Sequence, residues 1–211
     1  MGVMLLKNIL IAGPSRSGKS TLARMLQEAL SCFVVGADKF VAVFQEAYPQ
    51  LDIRLNWDRD ATTDHLAPFL GHFLGQFSSP DGRGLLPYSH GAAAGNRFVL
   101  EGGYFNFDMI LPALKAYGAD ALTDRFVCVG LTQGGKTADA YVADFKRYDT
   151  ADDWTYGFSD ADLRDVAEDA VRFDSAMSAH LLRHGFTMYD TSADRERVLA
   201  RIVEEVRAQG V

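Results

Sequence analysis

The chain has 211 residues, of which 48% are hydrophobic and 23% are charged, an ordinary balance for one globular domain spanning residues 1–211. Its formal net charge of −7 and its pI near 5.2 argue against a nucleic-acid-binding surface, which would need clustered Lys and Arg. No apolar run has the length of a membrane span, and the two cysteines lie in or beside apolar runs, as reduced core thiols do. We therefore expect a cytoplasmic protein, monomeric or homodimeric, that binds neither nucleic acid nor membranes.

A phosphate-binding pattern follows the first predicted strand, residues 8–12. Gly13, Gly18, Lys19 and Ser20 satisfy G-x-x-x-x-G-K-[ST] in full, which happens by chance in a chain of this length on the order of 1% of the time. The apolar residues that follow recur with the 3.6-residue period of a helix, so the pattern has the strand–loop–helix context that it requires. A glycine-rich turn with a surface lysine is the alternative interpretation.

The chemistry of a phosphate loop explains these residue types. Glycines allow backbone angles that turn successive N–H groups toward phosphate oxygens, and the following helix directs its positive end at the same anion. Lys19 would neutralise the β- and γ-phosphates, and the Ser20 hydroxyl would ligate Mg²⁺. We predict that ATP and Mg²⁺ bind here, in contact with Gly13, Pro14, Ser15, Arg16, Ser17, Gly18, Lys19, Ser20 and Thr21.

Acidic residues follow the second and third predicted strands, residues 32–36 and 97–100. Parallel sheets bind ligands at the carboxyl ends of their strands, so Asp38 and Glu101 are both predicted to face the phosphate loop. Asp38 would accept the proton of an acceptor hydroxyl, and its alternative role is the N-cap of a helix from Lys39 onward. Glu101 has the position of a Walker B acid, which orients Mg²⁺ directly or through water.

Residues 41–96 are predicted to form a helical substrate-binding region. Arg54 is a candidate cation in it. Apolar residues between positions 66 and 77 recur with helical spacing, and Pro68 is expected in or near the first turn of that helix.

Residues 132–154, after the fourth predicted strand at 126–131, are polar and are predicted to form a lid. A phosphoryl-transfer site needs such a segment because water would otherwise take the phosphoryl group. Lys136, Lys146 and Arg147 are its cations, and Arg147 is preferred because a guanidinium can bind two phosphate oxygens at once. A solvated helix face is the alternative.

The fifth predicted strand, residues 186–189, precedes Asp190-Thr191-Ser192, which is expected to cap the closing helix, with Thr191 as a nucleotide contact near the adenine. Strands that alternate with helices along the chain predict a parallel sheet covered on both faces. The predicted fold is therefore α/β with three layers, a five-stranded, mostly parallel sheet between helices.

In these motifs the chain resembles small P-loop kinases of the uridine kinase and nucleoside kinase group. Besides the phosphate loop, the similar stretches are Asp38-Lys39-Phe40, Asn56-Trp57-Asp58, Pro87-Tyr88-Ser89-His90 and Val99-Leu100-Glu101-Gly102. The resemblance implies a P-loop NTPase fold, a base role for Asp38 and a position near the acceptor for Tyr88. The lid differs, because uridine kinases carry repeated arginines where this chain has only Lys136, Lys146 and Arg147.

The sequence therefore predicts an ATP-dependent small-molecule kinase. The γ-phosphate of Mg·ATP would pass to a hydroxyl or phosphate of a small molecule such as a nucleoside or nucleotide, with Lys19, Asp38 and Arg147 as catalytic residues. Substrate contacts are assigned to Asp38, Arg54, Tyr88 and Glu101. The sequence lacks the guanine-binding Asn-Lys-x-Asp of GTPases, and the alternative that remains is a non-kinase ATP-binding or ATPase module with a regulatory role.

Overall fold

A parallel sheet forms the centre of the molecule. The computed structural model describes residues 7–55, 58–78, 98–151 and 153–209. Within these residues the strand order is β2-β3-β1-β4-β5, and every neighbouring pair is parallel. The strands are β1 (Asn8–Ala12), β2 (Phe33–Gly36), β3 (Phe98–Gly102), β4 (Phe126–Thr132) and β5 (Thr187–Asp190). The carboxyl ends of these strands therefore meet at one edge of the sheet.

Helices cover both faces of this sheet. They are α1 (Lys19–Leu30), α2 (Ala37–Ala47), α3 (Arg59–Ser78), α4 (Phe107–Lys115), α5 (Ala138–Tyr148), α6 (Asp160–Arg183) and α7 (Arg195–Ala208). Ile9 and Ile11 of β1 pack against α1 and α7, whereas Leu10 and Ala12 face the opposite layer. Burial on both faces explains why β1 is a continuous apolar run. The predicted three-layer α/β fold is confirmed.

Helix α3 begins earlier than the sequence predicts. It starts at Arg59, after Asp58 accepts the N–H of Ala61 at 3.0 Å, so Pro68 lies in its interior rather than near its first turn. Proline there removes one helical hydrogen bond, the one to the carbonyl of Asp64. Asp64 and Pro68 are both exposed, so water can bond the carbonyl that has lost its helical partner.

The closing helix α7 is capped by Asp194, whose carboxylate accepts the N–H of Arg197 at 3.3 Å. The predicted cap, Asp190-Thr191-Ser192, is therefore wrong. Asp190 ends β5 and accepts the N–H of Ser192 at 2.8 Å, which forms a turn ahead of the helix.

The predicted lid segment contains helix α5. Thr137 caps this helix by accepting the N–H of Ala140 at 3.3 Å. Helices α5 and α6 share a small core that is distinct from the two cores of the sheet. It consists of Tyr141, Phe145, Leu163, Ala167 and Ala170. The segment is thus a folded helical unit attached to the carboxyl edge of the sheet.

Cys32 and Cys128 are both buried and form no disulfide within the described residues, which confirms them as core thiols. Burial raises the pKa of Cys128 to about 12. Across the described parts of the chain, no helix combines the length and the apolar character that a membrane crossing requires.

Three titratable side chains connect the start of α4 to the end of α6. Nε2 of His180 accepts the N–H of Phe107 at 3.0 Å, and Nε2 of His184 lies 2.9 Å from Asp108. Nδ1 of His180 lies 3.6 Å from Asp108 and 3.2 Å from Nη2 of Arg183, so an acid and a cation both face this ring nitrogen. The three side chains therefore clamp two helices together, and burial lowers the pKa of His180.

Acid should loosen this clamp. The pKa of His180 lies below its ordinary value of 6.5, so the unfolded chain takes up the proton first, and the stabilising contribution is lost as the pH falls below 6.5. We expect the free energy of unfolding, from urea titration, to fall between about pH 7.5 and about pH 5.5. It should fall less in His180→Gln, because the Gln oxygen still accepts the Phe107 N–H. His65→Gln, at an exposed position, is the control, and equal pH slopes in all three proteins would contradict the clamp.

Candidate active site

The phosphate loop lies between β1 and α1, at the carboxyl edge of the sheet. Gly18 caps α1 with a φ of 97°, a left-handed conformation that favours glycine. At Gly13 a Cβ atom would lie 2.4 Å from the carbonyl oxygen of Leu131 in β4, so no side chain fits there. Both glycines of the motif are therefore required, one by its backbone conformation and the other by close packing.

Neighbouring loops hold the carbonyl groups of the phosphate loop. Gln133, after β4, donates from Nε2 to the carbonyl of Arg16 at 2.8 Å. Thr191, after β5, donates its hydroxyl to the carbonyl of Ser17 at 2.9 Å, and the Ser17 hydroxyl donates to the carbonyl of Pro14 at 2.9 Å. Protein donors thus satisfy these carbonyls, which leaves the N–H groups of the loop as its ligand-binding face. Thr191, predicted as a nucleotide contact, is 1% exposed and supports the loop through this bond.

Lys19 lies across the phosphate loop, with its Nζ donating to the carbonyl of Pro14 at 2.7 Å. Burial lowers the pKa of Lys19. The carboxylates of Glu101 and Asp38 oppose this shift, and the charge of Arg59 adds to it. The charges of two acids and one further cation therefore act on Lys19. The structure thus brings together Lys19, Asp38 and Glu101, which the sequence assigned to the site.

Ser20 and Glu101 form the candidate Mg²⁺ site. The Ser20 hydroxyl, in the first turn of α1, donates to Oε1 of Glu101 in β3 at 3.0 Å. Burial raises the pKa of Glu101, whereas the charge of Lys19 and the bond from Ser20 oppose this shift. A hydroxyl and a carboxylate are the hard oxygen ligands that Mg²⁺ prefers, so the donor set fits this ion.

Asp38 is the second residue of α2, two positions after Gly36, which pairs with Glu101 in the sheet. Helix α2 begins at Ala37 with Gly36 as its N-cap, and no side chain caps it, so the alternative role of Asp38 as a cap is wrong. The Asp38 carboxylate is exposed, and its charge raises the pKa of both Lys19 and Glu101. A carboxylate in this position can meet a second substrate beside the phosphates.

Arg59 is a site residue that the sequence motifs did not identify. It is the first residue of α3, and its guanidinium carbon lies 3.9 Å from the centre of the Phe173 ring. Its charge lowers the pKa of Lys19, and among the residues that the structure describes it makes no ion pair. The apolar spacing predicted this helix only from position 66 onward, so no local pattern in the sequence identified Arg59.

A cavity of about 240 Å³ lies beside the phosphate loop. Ser15 of the loop and Arg59 line one part of it, and the rings of Phe145, Trp154 and Phe173 line another. A second cleft, of about 380 Å³, also borders Phe173. The smaller cavity joins the phosphate loop to the lid segment, as an acceptor site would.

The predicted lid cations differ in their partners. Lys136 forms an ion pair with Asp144, and Lys146 forms one with Asp160 at 2.6 Å. Arg147 is exposed and, within the described ranges, has no ion pair. It is therefore the member of this set whose charge is least compensated.

The two other predicted substrate residues lie in the region of residues 41–96. Arg54 pairs with Asp52 at 2.7 Å, and its carbonyl accepts the hydroxyl of the buried Thr62 at 3.0 Å. Tyr88 lies outside the described residues, as do residues 56–57 and the rest of 79–97.

Two solved kinase structures have a similar fold. A shikimate kinase from Acinetobacter baumannii, in complex with shikimate, matches with a TM-score of 0.53 and 13% identity, covering 97% of this chain and 94% of its own. A shikimate kinase from Bacteroides thetaiotaomicron matches with a TM-score of 0.51 and 13% identity, covering 96% and 97%. No family model and no curated protein sequence matches the chain. At this identity the likeness shows the fold alone, which the chain shares with these two structures.

Replacing Lys19 by Ala should weaken nucleotide binding without destabilising the fold. We expect the affinity for Mg·ATP, measured by calorimetry, to fall about tenfold or more, because a charge-assisted bond to phosphate is lost. Burial already disfavours the Lys19 charge, so the free energy of unfolding should not decrease. Lys115→Ala, at an exposed position of α4, is the control. Unchanged affinity in Lys19→Ala would remove Lys19 from the site.

Proposed function

We propose that this protein is an ATP-dependent kinase that transfers the γ-phosphate of Mg·ATP to a hydroxyl or phosphate of a small molecule. The observation that carries the proposal is the placement of three groups at the phosphate loop: Lys19 lies across it, Glu101 bonds Ser20, and Asp38 follows Gly36, the strand partner of Glu101. A module that only binds nucleotide has no use for an exposed carboxylate next to the phosphate-binding lysine. The shared fold with solved kinases supports the same conclusion.

Each residue of the site has its own role in the proposed reaction. The N–H groups of the loop bind the phosphates, and Lys19 exchanges the carbonyl of Pro14 for phosphate oxygens. Ser20 and Glu101 would hold Mg²⁺, which would neutralise charge on the phosphates. Asp38 accepts the proton of the acceptor hydroxyl while that oxygen bonds to the γ-phosphorus and the bond to the β-phosphate oxygen breaks.

The cavity beside Ser15 is the proposed acceptor site. Its aromatic walls suit a ring-bearing molecule, and Arg59 provides a cation without an ion-pair partner among the described residues. A nucleoside or nucleotide, which the resemblance to the uridine kinase group implies, meets both conditions. A thermal-shift screen of nucleosides, nucleotides and cyclic alcohols, each with a non-hydrolysable ATP analogue, should identify the acceptor as the compound whose stabilisation requires the analogue. If a broad screen finds no such compound, that result contradicts the assigned acceptor site.

Asp38→Asn should lower kcat by about a hundredfold or more for the acceptor found in that screen, because the amide keeps the shape of Asp38 but cannot take a proton. The affinity for Mg·ATP should change little. Glu46→Gln, an exposed acid of the same helix, is the control. If kcat survives in Asp38→Asn, another group is the base.

Arg147 is the proposed lid cation, since Lys136 and Lys146 are engaged by carboxylates. Arg147→Ala should lower kcat about tenfold or more, because a cation that reaches the transferring phosphoryl group acts mainly in the transition state. The affinity for Mg·ATP should fall less. Lys146→Gln removes a neighbouring charge of the same helix as a control. Full activity in Arg147→Ala would exclude it from the reaction.

A further inference from the structure

The side chain of Arg16 leaves the phosphate loop and binds the segment that follows α5. Its Nη2 contacts Asp149 and lies 3.2 Å from the hydroxyl of Thr155, and its Nη1 lies 3.1 Å from Asp153. The Asp149 side chain is only 7% exposed, so this contact is half-buried rather than a surface pair. One guanidinium thus joins the phosphate loop to Asp149 and Asp153 of the lid and to Thr155 just beyond it.

The lid segment is organised around this guanidinium. The second oxygen of Asp149 accepts the hydroxyl of Thr155, which is 2% exposed. Asp153 accepts the N–H and the hydroxyl of Thr150 at 2.9 and 3.1 Å. Without Arg16, the carboxylates of Asp149 and Asp153 would face each other with no counter-charge in this contact.

The backbone of Arg16 also calls for an explanation. Its φ of 63° is left-handed, a conformation that glycine adopts freely and that a residue with a Cβ adopts at a cost. A glycine would fit the phosphate loop equally well at this position. A strained backbone at an arginine is explained if the side chain has a role, and here the side chain binds Asp149 and Asp153 of the lid.

The lid residues that Arg16 holds flank a wall of the proposed acceptor site. Trp154 lies between Asp153 and Thr155, lines the cavity and is 48% exposed. The Phe145 ring, another wall, has its centre 5.7 Å from the guanidinium carbon of Arg16. The neighbour of Arg16 in the loop, Ser15, lines the same cavity.

We propose that Arg16 is a positioning residue that couples nucleotide binding to the acceptor site by fixing the Trp154 wall to the phosphate loop. The coupling rests on the proposed function, because it takes the cavity as the acceptor site. Phosphate held by the N–H groups of the loop stabilises the backbone conformation in which Arg16 has its positive φ. Nucleotide and the Arg16 contacts therefore favour the same loop conformation, so each strengthens the other.

Trp154 fluorescence tests this coupling directly. The sequence has two tryptophans, so Trp57→Phe leaves Trp154 as the single reporter. Arg16→Gly removes the guanidinium while glycine keeps the left-handed backbone without strain. Acrylamide quenching of Trp154 is measured with and without the Mg²⁺ complex of a non-hydrolysable ATP analogue. Lys146→Gln is the matched control, because it removes an exposed ion pair between α5 and α6 and leaves the contacts to the phosphate loop intact.

We expect the analogue to lower the quenching constant by about twofold with Arg16 present and to leave it unchanged in Arg16→Gly. Quenching without nucleotide should be stronger in Arg16→Gly than in Lys146→Gln. The affinity for the analogue should fall in Arg16→Gly, but by less than about tenfold, because only the coupling to the lid is lost while the N–H groups of the loop remain. Asp153→Asn, at a partly exposed position, should reproduce part of the effect and provides the test if Arg16→Gly does not fold.

Two results would overturn the proposal. Identical quenching in Arg16→Gly and Lys146→Gln would mean that Arg16 does not position Trp154. Stronger quenching on addition of the analogue, with affinity more than about tenfold lower in Arg16→Gly, would mean that Arg16 leaves the lid to bind phosphate. Failure of the parent protein to bind the analogue would instead contradict the proposed function, and the comparison without nucleotide would still decide whether Arg16 holds the lid.

Discussion

The close approach of the phosphate loop to β4 is the constraint on which the site depends. Gly13 packs so tightly against the carbonyl of Leu131 that a Cβ would lie 2.4 Å from its oxygen. This contact brings the loop within reach of Gln133 and Thr191, which satisfy two of its carbonyls. A loop that turns N–H groups to one side must direct carbonyls elsewhere, and buried carbonyls need donors. The ends of β4 and β5 supply those donors.

Electrostatics then determine what the cleft can bind. Burial lowers the pKa of Lys19 and raises that of Glu101, so each charge is disfavoured by its surroundings and partly restored by the other. Asp38 and Arg59 add one charge of each sign to the same neighbourhood. Such a site suits a reaction that binds a polyphosphate and a divalent ion and transfers a proton. Perturbed ionisable groups that converge in a cleft are typical of catalysis.

The sequence was sufficient for the sheet and for the residues that follow its strands. A strand buried on both faces is a continuous apolar run, as in β1, and acids just after such runs must share one edge. It was insufficient for the ends of helices, because neighbouring Asp, Ser and Thr residues compete as caps. Helix α3 begins ahead of its apolar stripe, which places Pro68 in the interior, and Asp194 rather than residues 190–192 caps α7. It was also insufficient where a residue acts through tertiary contacts. Arg59 reaches the site from the start of α3, and the partners of Arg16 reach the loop from the segment between α5 and α6, placements that no local pattern encodes.

The central claim is that the γ-phosphate of ATP leaves this site on an acceptor and not on water. The most direct measurement follows label from [γ-³²P]ATP with Mg²⁺ and the compounds that stabilise the chain together with an ATP analogue. We expect a labelled organic product that forms only when both Mg²⁺ and the acceptor are present. Label found only in inorganic phosphate, at the same rate with and without those compounds, would contradict the central claim and would favour an ATPase.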